Sequence, residues 1–287
     1  MKLSTFAVLF LFGCAIVGGA TLALISPQQT PPAPAAPPAP STTAWPDYSA
    51  GGMGFVAPAS ADGELVAYGY RLVSQTFALI GPEAPDAAVR FAGNNLACQN
   101  CHLDGGTNRY ALPLVGVYGT YPKFLARDNR VVSLRERLNE CMTRSMNGRP
   151  MPDASREMSA FLAYLKFIGG PEPVHAPPVQ TPPQPADAAR GSVVFAEICA
   201  VCHQKDGLGA RTGSVNDAGG YRFPPLWGPD SFNDAAGMDR FANAVGFIRQ
   251  DMPRGVDPLH PQLSLQQAWD VVAYMRSQPR PHGPVGR

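Results

Sequence analysis

Cys98-Gln99-Asn100-Cys101-His102 and Cys199-Ala200-Val201-Cys202-His203 repeat one chemical arrangement: two thiols three positions apart, with an imidazole directly after the second. At this spacing both thiols can add across the vinyl groups of one flat macrocycle while the imidazole reaches its iron from below, which is how a c-type haem is attached. A zinc or redox Cys-x-x-Cys pair with an incidental His would have to arise twice in the same chain. The pattern therefore predicts two covalently bound haem c groups. Cys98, Cys101, Cys199 and Cys202 are the attachment points, and His102 and His203 the proximal iron ligands.

Opposite each imidazole the iron takes a second ligand or keeps an open face. For the second motif Met252, in the run Gln250-Asp251-Met252-Pro253, lies 49 residues after His203 and just before the closing helix. Met238, Met275 and His260 are its rivals, and His282 lies close to the C-terminus. For the first motif two residues compete. Met151 also follows its His by 49 residues, but Cys141 is the one cysteine outside the haem motifs and the N-terminal apolar stretch. In an oxidising compartment a single thiol is a liability unless it is buried, ligated or used.

The surroundings of Cys141 favour use. Ser133 and Glu136 form a capping box that opens a helix from Leu134 towards Ser145. On that helix Leu134, Leu138, Cys141 and Ser145 share a face, with Arg137 four residues before the thiol and Arg144 three after it. Two guanidinium groups favour the thiolate, the form that binds iron or attacks sulfur. Residues 121–150 carry seven basic side chains, Arg127 among them, against Asp128, Glu136 and Glu140. This local excess, in a chain of formal charge +1, describes a pocket for small anions rather than a surface for nucleic acid.

The elements that position these groups repeat one plan, a helix before each motif and an amphipathic helix closing each unit. Val66, Tyr70, Val73 and Phe77 predict a helix over 64–79, and Phe161, Leu162 and Leu165 one over 154–167. In the second unit 188–198 carries Gly191 and Phe195. Its partner opens at the Ser264/Gln267 capping box and presents Leu265, Trp269, Val272 and Ala273 on one face. The class is mainly α, two tandem cytochrome c-like domains over 61–170 and 189–287. Between them 171–188 holds seven prolines and forms a linker, in which His175 is a solvated residue. With 31 prolines and 16% charged residues, the chain reads as small domains on stiff linkers rather than one large core.

Ahead of the first domain, 27–60 opens with a Pro-rich tether. Residues 1–26 are a signal peptide or an N-terminal membrane anchor, apolar and uncharged from Phe6 to Ile25. The apolar run continues past Cys14, which argues against a lipoprotein cleavage there. Either way the working part is placed in the periplasm, where haem c is attached, with membrane attachment through this segment if it stays uncleaved.

Phe91-Ala92-Gly93-Asn94-Asn95, leading into the first motif, resembles the haem 1 region of the dihaem thiosulfate dehydrogenases. So does the segment from Arg137 to Arg149 with its Cys141-x-x-Arg144-Ser145-Met146-Asn147-Gly148 core, much the more specific signal. Phe223 to Phe232 is similar to a stretch before the second distal ligand of that family, and the likeness runs from about residue 62 onwards. The resemblance implies His102 and Cys141 as axial ligands of a catalytic haem 1, and His203 and Met252 as those of a relay haem 2. Met151 then becomes pocket wall. It also implies a substrate site lined by Arg127, Arg137 and Ser145, to which helix geometry adds Arg144. Some relatives carry Lys before the distal Met and exchange ligands with redox state; Asp251 stands there in this chain, so stable His/Met ligation is expected.

The reaction implied joins two thiosulfates into tetrathionate, in either direction. Cys141 forms a transient mixed species with a sulfane sulfur, and electrons pass from haem 1 to haem 2 and on to an external acceptor such as a small cytochrome c. Thiolate ligation at haem 1 and thioether ligation at haem 2 make that order downhill. Two other readings fit the motifs. A dihaem electron carrier would use Met151 and need no anion pocket. A haem-containing sulfur carrier of a sulfur-oxidation complex would pass sulfur to a partner protein.

Overall fold

The computed structural model describes residues 55–126, 128–169, 180–213 and 219–284. The segments read as signal or anchor (1–26), most of the N-terminal tether and the core of the linker, His175 included, lie outside the described residues. Among the described residues no helix is long and apolar enough to cross a membrane.

The first domain comprises α1 (Gly63–Ser74), α2 (Thr76–Ile80), a hairpin of β1 (Lys123–Leu125) and β2 (Arg130–Val132), then α3 (Leu134–Arg144) and α4 (Arg156–Phe167). The second comprises α5 (Ala188–Val194), α6 (Ala200–His203), the short antiparallel pair β3 (Ala210–Arg211) and β4 (Tyr221–Phe223), α7 (Phe241–Asp251) and α8 (Leu265–Arg276). Both capping boxes exist. Ser133 Oγ accepts from Glu136 N at 3.2 Å while the Glu136 carboxylate accepts from Ser133 N at 2.7 Å. Ser264 and Gln267 exchange the same pair of bonds at 3.2 and 2.9 Å.

In each domain the first helix crosses the last, α1 on α4 and α5 on α8. The crossings are close because a glycine stands at each. A Cβ on Gly191 would overlap the Asp270 carbonyl oxygen and lie 2.9 Å from Tyr274 Cβ; one on Gly69 would overlap the Ala160 carbonyl oxygen and lie 2.6 Å from Tyr164 Cβ. Both domains thus make the same glycine–aromatic crossing, on Gly191 and Tyr274 in the second and on Gly69 and Tyr164 in the first; of these four residues the sequence pattern singled out only Gly191. In an ordinary helix Gly→Ala gains about 1 kcal/mol. Here Gly191→Ala is expected to destabilise the holoprotein by roughly 1–3 kcal/mol, because neighbouring backbone cannot give way as a side chain would. Denaturant unfolding reads the sign; a gain in stability would refute the close crossing.

Two predicted helices are interrupted, each next to a haem motif. The first breaks at Gln75 (φ −133°, ψ 37°). The break lets Thr76 Oγ1 bond Leu72 O at 2.6 Å and accept from Cys98 N at 3.1 Å, so the interruption anchors the start of the motif. The helix from Ala188 widens into a π turn over Phe195–Cys199, which shifts its register just before Cys199.

Each domain has its own core, and the two also pack against one another. Asn95 N donates to Asp230 at 3.0 Å, Asn147 Nδ2 to Ser231 O at 2.6 Å, and Leu103 and Ala111 share an apolar cluster with Phe247. Domain association buries the face each domain would otherwise expose beside its haem motif.

Candidate functional site: two haem cavities and an arginine-flanked cysteine

In both motifs the imidazole is set for ligation. His102 Nδ1 meets Leu112 O at 2.5 Å and His203 Nδ1 meets Pro224 O at 2.8 Å. A carbonyl only accepts, so Nδ1 carries the proton and Nε2 keeps its lone pair for a metal. Burial lowers the pKa of both rings, which favours the neutral, ligating form. Burial likewise pushes the Cys98 thiol up to about 11 and the Cys101 thiol up to about 12, an environment suited to uncharged thioethers.

Each motif faces a cavity. That of the second domain, about 370 Å³, is lined by Cys199, Cys202, His203 and Met252. Met238 and Met275 also line it, whereas His260 is exposed and bonds Asp257 at 2.6 Å. The cavity of the first domain, about 80 Å³, is lined by Cys98, Cys101 and His102, and by Cys141, Ser145 and Met151. Both residues that competed for the distal position therefore reach it. Met151 is held there by a two-bond clamp to the Asn139 side chain, at 2.8 and 3.0 Å. Cys101, Leu96, Phe232 and Met238 line both cavities, so the two sites adjoin.

Of the residues expected to line a substrate site, Arg137 meets the thiol directly, its Nη1 donating to Cys141 Sγ at 3.2 Å. Its pKa is raised, first by the negative charge Cys141 would carry and further by Tyr121 and Glu140. Arg144, the second arginine flanking the thiol, lies in the last turn of α3. It pairs with Asp128 and Glu140, each at 3.7 Å, and Glu140 also reaches Arg137 at 3.5 Å. One of the carboxylates counted against the basic residues in the sequence is thus shared between the two arginines that flank the thiol. Arg127 lies outside the described residues.

The end of α3 is held by hydrogen bonds that sequence reasoning missed. The final carbonyls of a helix lack intrahelical partners. Cys141 O accepts from Ser145 N and Met146 N, Met142 O from Gly148 N, and Ser145 O from Asn94 Nδ2. Thr143 O and Arg144 O are taken by Asn233 of the other domain, through Nδ2 at 3.0 Å and N at 3.2 Å. The two segments that carried the resemblance also meet: Gly93 N donates to Met146 O at 2.7 Å and Arg149 N to Phe91 O at 2.9 Å. Phe232, last residue of the third such segment, directly precedes Asn233. That adjacency is the one signal in the sequence that marks this loop.

Residues 90–173 match the family model described as SoxA/TsdA, cytochrome c domain, and residues 188–279 match the cytochrome c model. The thiosulfate dehydrogenase of Allochromatium vinosum is 39% identical over 234 residues, covering 78% of this chain and 81% of that protein. The chain belongs to the thiosulfate dehydrogenase family. Its relative from Stutzerimonas stutzeri is 40% identical, over 79% of this chain and 71% of that one. Among solved structures, the thiosulfate dehydrogenase TsdBA of Marichromatium purpuratum, in its as-isolated form, superimposes with a TM-score of 0.70 at 31% identity. That alignment covers 80% of this chain and 49% of TsdBA, so the chain spans about half the length of the solved protein. As a family member with two cytochrome c domains, each presenting an attachment motif to a cavity, the chain carries two covalently bound haem c groups.

Proposed function

We propose that this chain oxidises two thiosulfates to tetrathionate at the first haem site and passes the two electrons through the second site to an external acceptor. The observation that carries the reading is the Arg137–Cys141 contact at 3.2 Å, on the helix that lines the Cys98/His102 cavity. Bound haem supplies a one-electron acceptor in each cavity.

The residues of the chain supply the rest. Arg137 offers a fork of donors to a sulfonate while its Nη1 steadies the Cys141 sulfur as an anion. The Cys141 thiolate bonds to the sulfane sulfur of one thiosulfate, giving a cysteine S-thiosulfonate and releasing two electrons. The sulfane sulfur of a second thiosulfate then displaces Cys141, regenerating the thiolate and completing the central S–S bond of tetrathionate. Ser145, one turn on, presents a hydroxyl to the same cavity and hydrogen-bonds a substrate oxygen. His203 and Met252 would hold the iron of the relay site, and His102, with Cys141 when it is not bonded to substrate, that of the first. The shared walls Cys101 and Phe232 keep the two sites close enough for direct electron transfer. By microscopic reversibility the same groups serve tetrathionate reduction.

A periplasmic location follows from haem c attachment, with a small cytochrome c as the fitting acceptor. The test is purified holoprotein with thiosulfate and ferricyanide: two ferricyanides reduced per tetrathionate formed supports the reading. Ferricyanide reduction without tetrathionate, or no turnover, returns the chain to the electron-carrier class.

A further inference from the structure

Glu140 precedes the reactive cysteine, and its setting bears on how the pocket takes up anions. At about 100° per residue, Arg137 and Arg144 fall on nearly one line along α3. Cys141 lies to one side of that line and Glu140 to the other. The Glu140 side chain is 12% exposed and reaches Arg137 at 3.5 Å, Arg144 at 3.7 Å and Arg130, on the hairpin, at 4.0 Å. Arg137 therefore stands between two anions, the Glu140 carboxylate and the Cys141 sulfur at 3.2 Å. Asp128 adds a second acid at Arg144, 3.7 Å away.

We infer that Glu140 is the resident counter-ion of this arginine group and tunes its affinity for dianions, an inference that rests on the substrate class proposed above. With the pocket empty, Glu140 balances the part-buried charge of Arg137 and shares that of Arg144 with Asp128. When a dianion arrives beside Cys141, Arg137 is shared between Glu140 and the newcomer, and the carboxylate repels the newcomer across it. The repulsion weakens binding of thiosulfate and, equally, of tetrathionate. Glu140 thus limits product inhibition, at the cost of a higher KM.

The test is calorimetric titration of tetrathionate into the fully oxidised holoprotein, where no electrons flow; released thiosulfate is assayed alongside, because the displacement at Cys141 run in reverse needs no electrons and must be separated from binding. Glu140→Gln removes one charge and is expected to tighten Kd by about 3- to 10-fold, the range for a unit charge acting on a dianion at this distance near a protein surface. KM for thiosulfate should fall by a similar factor and tetrathionate inhibition should strengthen. Glu136→Gln is the control. It makes the same charge change one turn away on an exposed side chain that pairs with Arg130 at 2.6 Å rather than with Arg137 or Arg144, and whose capping role Gln retains; it is expected to move Kd less than about twofold. A Kd that is unchanged or weaker in Glu140→Gln overturns the inference, as does an equal gain from the control. If the unmutated protein binds no tetrathionate, the proposed function fails instead, so the two failures are distinguishable.

Discussion

Replacing Cys141 by methionine is expected to lower thiosulfate oxidation by roughly 10³-fold or more, the scale seen when an enzyme loses its nucleophile. A thioether still offers a soft ligand, so the role proposed for residue 141 in holding iron could be kept. It carries no charge and cannot form and release an S–S bond, so it cannot take a sulfane sulfur from one thiosulfate and yield it to another. The substitution leaves both haem motifs and the Ser133/Glu136 cap of α3 intact. The side chain lines a cavity, so the added length has space to enter. Two haems per chain by haemochrome analysis, with ferricyanide-coupled turnover near background, is the expected outcome. A variant keeping full turnover would eliminate Cys141 as the reacting sulfur.

Arg137→Ala is expected to reduce kcat/KM for thiosulfate by about 10²- to 10³-fold, comparable with loss of a preorganised donor aimed at developing charge. Its guanidinium links three groups, the Cys141 sulfur, Glu140 and Tyr121. Alanine removes the donor to the sulfur and the main attraction for the dianion, and leaves Glu140 beside the pocket with one partner fewer. Lysine should restore little, because one ammonium on a flexible stem does not reproduce a planar fork. Steady-state kinetics on protein of unchanged haem content and melting temperature check this. A loss confined to stability would assign Arg137 a scaffold role only.

Both of these residues stand out in the amino-acid sequence, and the reason is local. Haem attachment, helix capping and the flanking of Cys141 by Arg137 and Arg144 depend on spacings of three or four positions, which backbone geometry converts directly into proximity. The breaks at Gln75 and Phe195 leave no such mark. The first arises where Thr76 meets Cys98, and the second where Phe195 packs on Trp227 and Tyr274, contacts between distant parts of a domain. Local helical stripes alone continue straight through them.

The amino-acid sequence by itself determined the attachment chemistry, the two-domain α class and the family, and it put Arg137 one turn from Cys141, the sulfur proposed to react. Tertiary structure decided how those parts cooperate. Asn233 of the second domain closes the end of the helix that carries Cys141, and Cys101 and Phe232 wall both cavities. Glu140, which the sequence counted only as a charge against the arginines, becomes the carboxylate they gather around. A spacing rule cannot reach such facts. They are set when helix-end carbonyls, buried charges and apolar faces from separate domains find partners in one another, because leaving them unpaired out of water costs more than any local preference supplies.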